Sequence, residues 1–268
     1  MVAETAPAGD HNYVDAIRRE RESVLAYCSD LSDKEWRTPS AAAGWTVQDV
    51  VAHLGANARA VFGPDGLAVL RTDSIERVAD AAVEKRRDWS SQKVLEEYAR
   101  WSSRLAGLAR VIAQTPASRL PIPLGELGRY PVGMLLTGAM VFDQHTHLRH
   151  DIAPVLDRPI PTSDEARLHV AVTWMFAVLS NQIQRSGSDL PGVPVSFELT
   201  GIGGGTWGLA ADGSLSDGAL DSPAITISGR VEDFPSWGTR RSSWRDANLT
   251  LGGDTAVAET FLDSINVV

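Results

Sequence analysis

The sequence predicts two domains, α followed by α+β: an antiparallel four-helix bundle over residues 1–160 and a small domain with a mostly antiparallel sheet over residues 161–268. Three observations lead there. The chain has 268 residues, near the size at which one hydrophobic core gives way to two. Apolar residues recur with a helical period in four stretches before residue 152. From about residue 190 that period gives way to alternation broken by glycine, the pattern of short strands and turns.

The first helix runs from about Tyr13 to Asp30 and lines up Val14, Ile17, Val24, Leu25 and Cys28, with "RRERE" turned to water. The second opens at "GWTVQDVVAHL", where Thr46 can cap the helix and Asp49, three residues on, can return the bond; Val50, Val51 and Leu54 follow. Between Ile75 and Gln114 lie two consecutive helices or one broken helix, the longer part carrying Val94, Leu95, Tyr98, Trp101, Leu105, Leu108 and Ile112. "TPASRLPIPLGELGRYP" reads as a loop, and a fourth helix spans Val132 to about His150. A further apolar helix, Asp164 to Gln184, has no place in a four-helix core and reads as the connector to, or first element of, the second domain. There "VPVSFELTG", "GTWGLAADG", "PAITISG" and "ANLTLGGD" read as strands, "RVEDFPSWGTRR" as a short helix and "TAVAETFLDSI" as a closing helix. "GIGGG" lacks the spacing of a phosphate loop and joins two strands, so it reads as a hairpin loop.

A net charge of −9 and a pI near 5.1 exclude the broad basic footprint of a nucleic-acid binder and disfavour an anionic membrane. No stretch has the length of a membrane span, and the N-terminus lacks a signal-peptide core, which predicts a cytoplasmic protein. Cys28 is the only cysteine, so no intramolecular disulfide can form; its apolar neighbours make it a buried small hydrophobe.

Chemistry concentrates in "VFDQHTHLRHDI", residues 141–152. Asp143 and His147, four apart, lie about 40° from each other on a helix. They extend a stripe through Leu136 and Met140 that faces the interior, where an unpaired carboxylate is costly. His145 turns to the far side, toward solvent, while His150, at i+7 from Asp143 and i+3 from His147, stays a candidate. On another helix, Val50 and Leu54 flank His53. His53, Asp143 and His147 would supply two nitrogens and one oxygen and leave coordination positions open, as catalytic metal sites do. On spacing alone, a core histidine paired with Asp143 accounts for His53 equally well.

"GWTVQDVVAHL" followed about ninety residues later by "FDQHTHLRHDI" resembles the two signatures of the mycothiol-dependent maleylpyruvate isomerase family, within the DinB-like metalloenzyme superfamily. The resemblance implies a DinB-like bundle that binds a divalent metal, usually zinc, through His53, Asp143 and His147, with Asp143 standing where the family often has Glu. It implies a sterol-carrier-like domain from about residue 165. It also implies mycothiol, a small sugar-linked thiol, as cofactor and a small-molecule electrophile as substrate: a metal-held thiolate adds to a cis double bond, the single bond rotates, and elimination returns the trans isomer. Arg240 and Arg241 fall where the family places a catalytic arginine; without the resemblance they read as an exposed helix end. Asp151 can orient His147 as a hydrogen-bond acceptor or cap the following loop. Arg149, about 200° round the helix from His147, is a structural candidate. A mycothiol S-transferase, and a non-catalytic scaffold whose second domain binds a ligand, fit the same sequence.

Overall fold

The computed structural model describes residues 10–185 and 192–267. The first nine residues of the stretch that reads as lacking a signal therefore lie outside the described residues. Contacts divide the chain into two compact units, residues 10–163 and the residues from Asp164 on.

The first unit is helical, with α1 (Asp10–Cys28), α2 (Asp33–Trp36), α3 (Val47–Ala60), α4 (Asp65–Arg71), α5 (Ile75–Glu84) and α6 (Ser91–Ala113). Thr46 caps α3 in the arrangement its sequence suggests, accepting from Asp49 N while Asp49 Oδ2 accepts from Thr46 N. The stretch from Ile75 to Gln114 is two helices, α5 and α6, and α6 packs against both α3 and α1. Gly55 lets α3 and α6 approach closely, since a Cβ there would meet the Tyr98 backbone nitrogen at 3.2 Å. Val24, Cys28, Val50, Leu54, Val94, Tyr98, Leu148 and Ile152 form the core of this unit.

Residues 132–152 form one continuous helical segment of mixed winding: α7 (Val132–Met134), a π turn (Leu135–Ala139), α8 (Met140–Thr146) and a second π turn (His147–Ile152). π turns interrupt α-helices rarely and gather at functional sites. Just before it, the stretch read as a loop holds a short hairpin, β1 (Pro121–Pro123) against β2 (Arg129–Pro131). Prolines at its ends hide it, because proline cannot donate to a ladder and sits only where none is required.

Two solvent assignments are corrected. Arg18, Arg19 and Glu22 do face water, but Glu20 is wholly buried and ion-paired with the buried Arg149. His145 is also buried, its Nε2 3.0 Å from Ser163 Oγ. A buried carboxylate persists only with a paired charge. The same Arg149 donates to the Pro161 and Thr162 carbonyls, the structural role its position on the helix suggests.

The second unit opens with α9 (Glu165–Gln184), capped by the Asp164 side chain, so this helix is the first element of the unit. Its sheet runs β5-β4-β3-β6-β7, with β3 (Val195–Thr200), β4 (Gly205–Leu209), β5 (Leu215–Asp217), β6 (Ile225–Arg230) and β7 (Thr250–Gly253). All pairs are antiparallel except β3 with β6, where Phe197 lies opposite Ile227. The "GIGGG" run is the β3–β4 connection and needs glycine at 204, where a Cβ would sit 2.3 Å from Leu199 O. Phe176 anchors the core, stacked on Trp207 at 4.6 Å and edge-on to Phe197 at 4.9 Å. The unit is completed by α10 (Phe234–Gly238) and α11 (Thr255–Ser264). No helix among the described residues is long and apolar enough to cross a membrane.

Candidate metal centre

The cap at Thr46 starts α3 so that Val50 and Leu54 enter the core and His53 lies beside them, 7% exposed. Asp143 lies in α8 and His147 is the first residue of the π turn that follows it; the α-wound residues between them return the chain to one face. His53 Nε2 lies 3.2 Å from Asp143 Oδ1, and His147 Nε2 lies 3.3 Å from the same oxygen. The three donor atoms fall within 4.8 Å of one another, and the two imidazole rings are 5.0 Å apart at 73°. Both nitrogen-to-oxygen separations are longer than the charge-assisted hydrogen bonds usual between such groups. They suit the edges of a coordination polyhedron, because bonds of about 2.0–2.1 Å to a tetrahedral cation set its ligands about 3.4 Å apart.

The orientation of His147 is set from behind. Its Nδ1–H donates to Asp151 Oδ2 at 2.6 Å, and Asp151 is fully buried, so Nε2 is directed at Asp143. Asp151 thus takes the orienting role and not only that of a loop cap. His150 is not part of the donor group. The widened winding that begins at His147 turns the chain less per residue, so the third residue on falls short of the place an α-turn would give it.

Burial by itself would raise the Asp143 carboxyl, but His53 first and then His147 hold it well below the usual carboxylate range. Burial would likewise lower His147; the hydrogen bonds and charges of Asp143 and Asp151 overcome it and raise the imidazole to about 9. In the metal-free protein a proton on His147 therefore occupies the place a cation would take. An unfolded histidine titrates near 6.5. The proton's contribution to stability is thus fully present below that value and lost as pH rises to about 9. Metal binding requires the neutral ring, so apparent affinity is expected to rise about tenfold per pH unit over the same window. The gap in Tm between metal-loaded and metal-free protein should widen from pH 6.5 to 9; a constant gap would remove His147 from the ligand set.

The sequence patterns above assign no role to two residues at the site. Asn57, one turn after His53 on α3, places Nδ2 3.0 Å from Asp143 Oδ2 and 3.0 Å from His53 Nε2. Trp45, just before the α3 cap, lies 5.0 Å from the His53 ring and 6.3 Å from the His147 ring, its indole N–H donating to Asp80. It borders an open cleft of about 450 Å³ with Gly44, Asp80, Glu84 and Arg87. Cys28 is buried in the core, and burial pushes its thiol up to about 12.

In the second unit, Arg240 has φ 58°, a left-handed conformation that non-glycine residues rarely adopt. Its guanidinium donates to the Ile265 and Asp263 carbonyls, tying the end of α11 to the segment after α10. Arg241 donates its backbone N–H to Ser236 O. Both line an open cleft of about 350 Å³ with Trp237, Trp244 and Arg245.

A family model described as the mycothiol maleylpyruvate isomerase N-terminal domain matches residues 17–148, the span that holds His53, Asp143 and His147. Two solved structures share the fold over 91% of this chain and 93% of theirs. One is the mycothiol-dependent maleylpyruvate isomerase, with TM-score 0.57 and 14% identity. The other is a variant of that enzyme with one histidine replaced by alanine, with TM-score 0.56 and 14% identity. At that identity the likeness is one of fold. No curated protein matches the chain.

Proposed function

We propose, because residues 17–148 match the family model of the mycothiol maleylpyruvate isomerase N-terminal domain, that the chain is a metal-dependent, mycothiol-using enzyme of that family acting on a small electrophile, with maleylpyruvate-type cis–trans isomerisation as its reaction class. The observation that carries this reading is the convergence of His53 Nε2, Asp143 Oδ1 and His147 Nε2 on one point in a chain whose single thiol is buried elsewhere. Two imidazoles and a carboxylate suit zinc and leave positions open for an incoming ligand. A divalent cation held there supplies the charge that keeps a thiol of pKa about 8.5 in its thiolate form at neutral pH.

The protein's own groups account for the rest. His53, Asp143 and His147 hold the cation, and Asp151 fixes the tautomer of His147 through its Nδ1–H. Trp45 covers the two rings on one side and keeps water from them. For the anionic groups of the substrate we propose Arg240 and Arg241, which line their cleft together with Arg245. We read the first domain, residues 1–160, as a DinB-like four-helix bundle and the second, residues 161–268, as sterol-carrier-like.

The test is turnover of maleylpyruvate and of a few simple electrophiles, with and without mycothiol, by the wild type and by Cys28→Ala. Turnover is expected only with mycothiol and at near wild-type rate in Cys28→Ala, because a thiol raised to about 12 is not the nucleophile. Isomerisation without added thiol, or its loss in a folded, metal-loaded Cys28→Ala protein, would contradict the proposal. The electrophile consumed separates an isomerase from a thiol transferase.

A further inference from the structure

Asp143 offers two oxygens, and only one of them faces both imidazoles. Oδ1 lies 3.2 Å from His53 Nε2 and 3.3 Å from His147 Nε2, whereas Oδ2 lies 3.0 Å from the Asn57 carboxamide nitrogen. A carboxylate oxygen only accepts, so the Asn57 NH2 must donate to it; the reverse placement of the amide would set two acceptors against each other. The same Nδ2 lies 3.0 Å from His53 Nε2, so one carboxamide touches both the carboxylate and the imidazole that faces it.

We infer that Asn57 is a positioning residue of the metal centre: by occupying Asp143 Oδ2 it confines this short carboxylate to monodentate coordination through Oδ1 and holds it midway between the two ring nitrogens. The inference rests on the metal-site reading above. A carboxylate bound through both oxygens would take a second coordination position, one that an incoming thiol requires. Asp reaches less far than Glu and rotates about one fewer bond, so an outside partner decides which oxygen it presents. Asn57 supplies that partner from the turn after His53, which couples ligands on two separate helices. When a cation takes the His53 lone pair, the contact from Asn57 to Nε2 is given up and the one to Oδ2 persists.

The experiment compares wild type, Asn57→Leu and Asn57→Gln for zinc affinity, by competition with a chromophoric chelator, and for the visible spectrum of the cobalt(II)-loaded protein, which reports coordination number. Asn57→Leu keeps the volume and removes the donor. It is expected to bind zinc about 10–100-fold more weakly and to replace the intense bands of four-coordinate cobalt with the weaker bands of a five-coordinate site. Asn57→Gln, which retains a donor on a longer arm, should recover part of the affinity and the four-coordinate spectrum. If Asn57→Leu does not fold, judged by circular dichroism, Asn57→Ala carries the same expectation. Wild-type affinity and spectrum in the donor-less variant would overturn the role of Asn57 while leaving the metal site standing, as would a Gln variant no better than Leu. Wild type binding neither ion would overturn the metal reading itself, and the inference with it.

Discussion

The wild type is expected to carry one equivalent of divalent metal through mild purification and the His53→Ala, His147→Ala double variant none, with turnover reduced by more than the roughly 10–100-fold that loss of an outer partner of a metal ligand causes. The two histidines contribute both nitrogens of the donor group, and Asp143 alone cannot hold a borderline cation such as zinc against water. The change is local. His53 and His147 pack on Trp45 and on each other, and the core of Val24, Val50, Leu54, Val94 and Leu148 is untouched. Circular dichroism should therefore match metal-free wild type, which separates loss of the site from loss of the fold. Stoichiometric metal persisting in the double variant would refute the ligand assignment.

The clustering of His53, Asp143 and His147 is legible in the sequence because helical spacing is rigid. Asp143 and His147 share a face at i, i+4 whatever else surrounds them, and Val50 with Leu54 fixes the inward side on which His53 lies. The Thr46–Asp49 cap could be read for the same reason, since three residues separate partners in one turn. Asn57 and Trp45 could not, because their importance lies in distances to another helix, and a polar residue near the end of α3 looks like any solvated one. Glu20 and His145 were misplaced on water for a related reason: their burial depends on Arg149 and Ser163, partners remote in sequence that compensate the loss of hydration. α-Helical geometry makes His150 a candidate, and the π winding from His147 on leaves it outside the donor group. In the second unit, alternation marked the strands but not their order, and the parallel β3–β6 pairing follows from a long connection that leaves no periodic trace.

On the proposed reading, the chain contributes no reacting thiol and instead builds a cation site that captures one. The most direct test is calorimetric titration of mycothiol into metal-loaded and metal-free protein, side by side at pH 7.5 and in two buffers of different ionisation enthalpy. Binding is expected only to the loaded form, with release of the thiol proton visible as a buffer-dependent heat, since a bound cation deprotonates a coordinating thiol outright. Circular dichroism of the metal-free form, matching that of the loaded form, would assign the absence of heat there to the missing cation. Equal affinity in both forms, or no binding to the loaded protein, would contradict a metal-held thiolate.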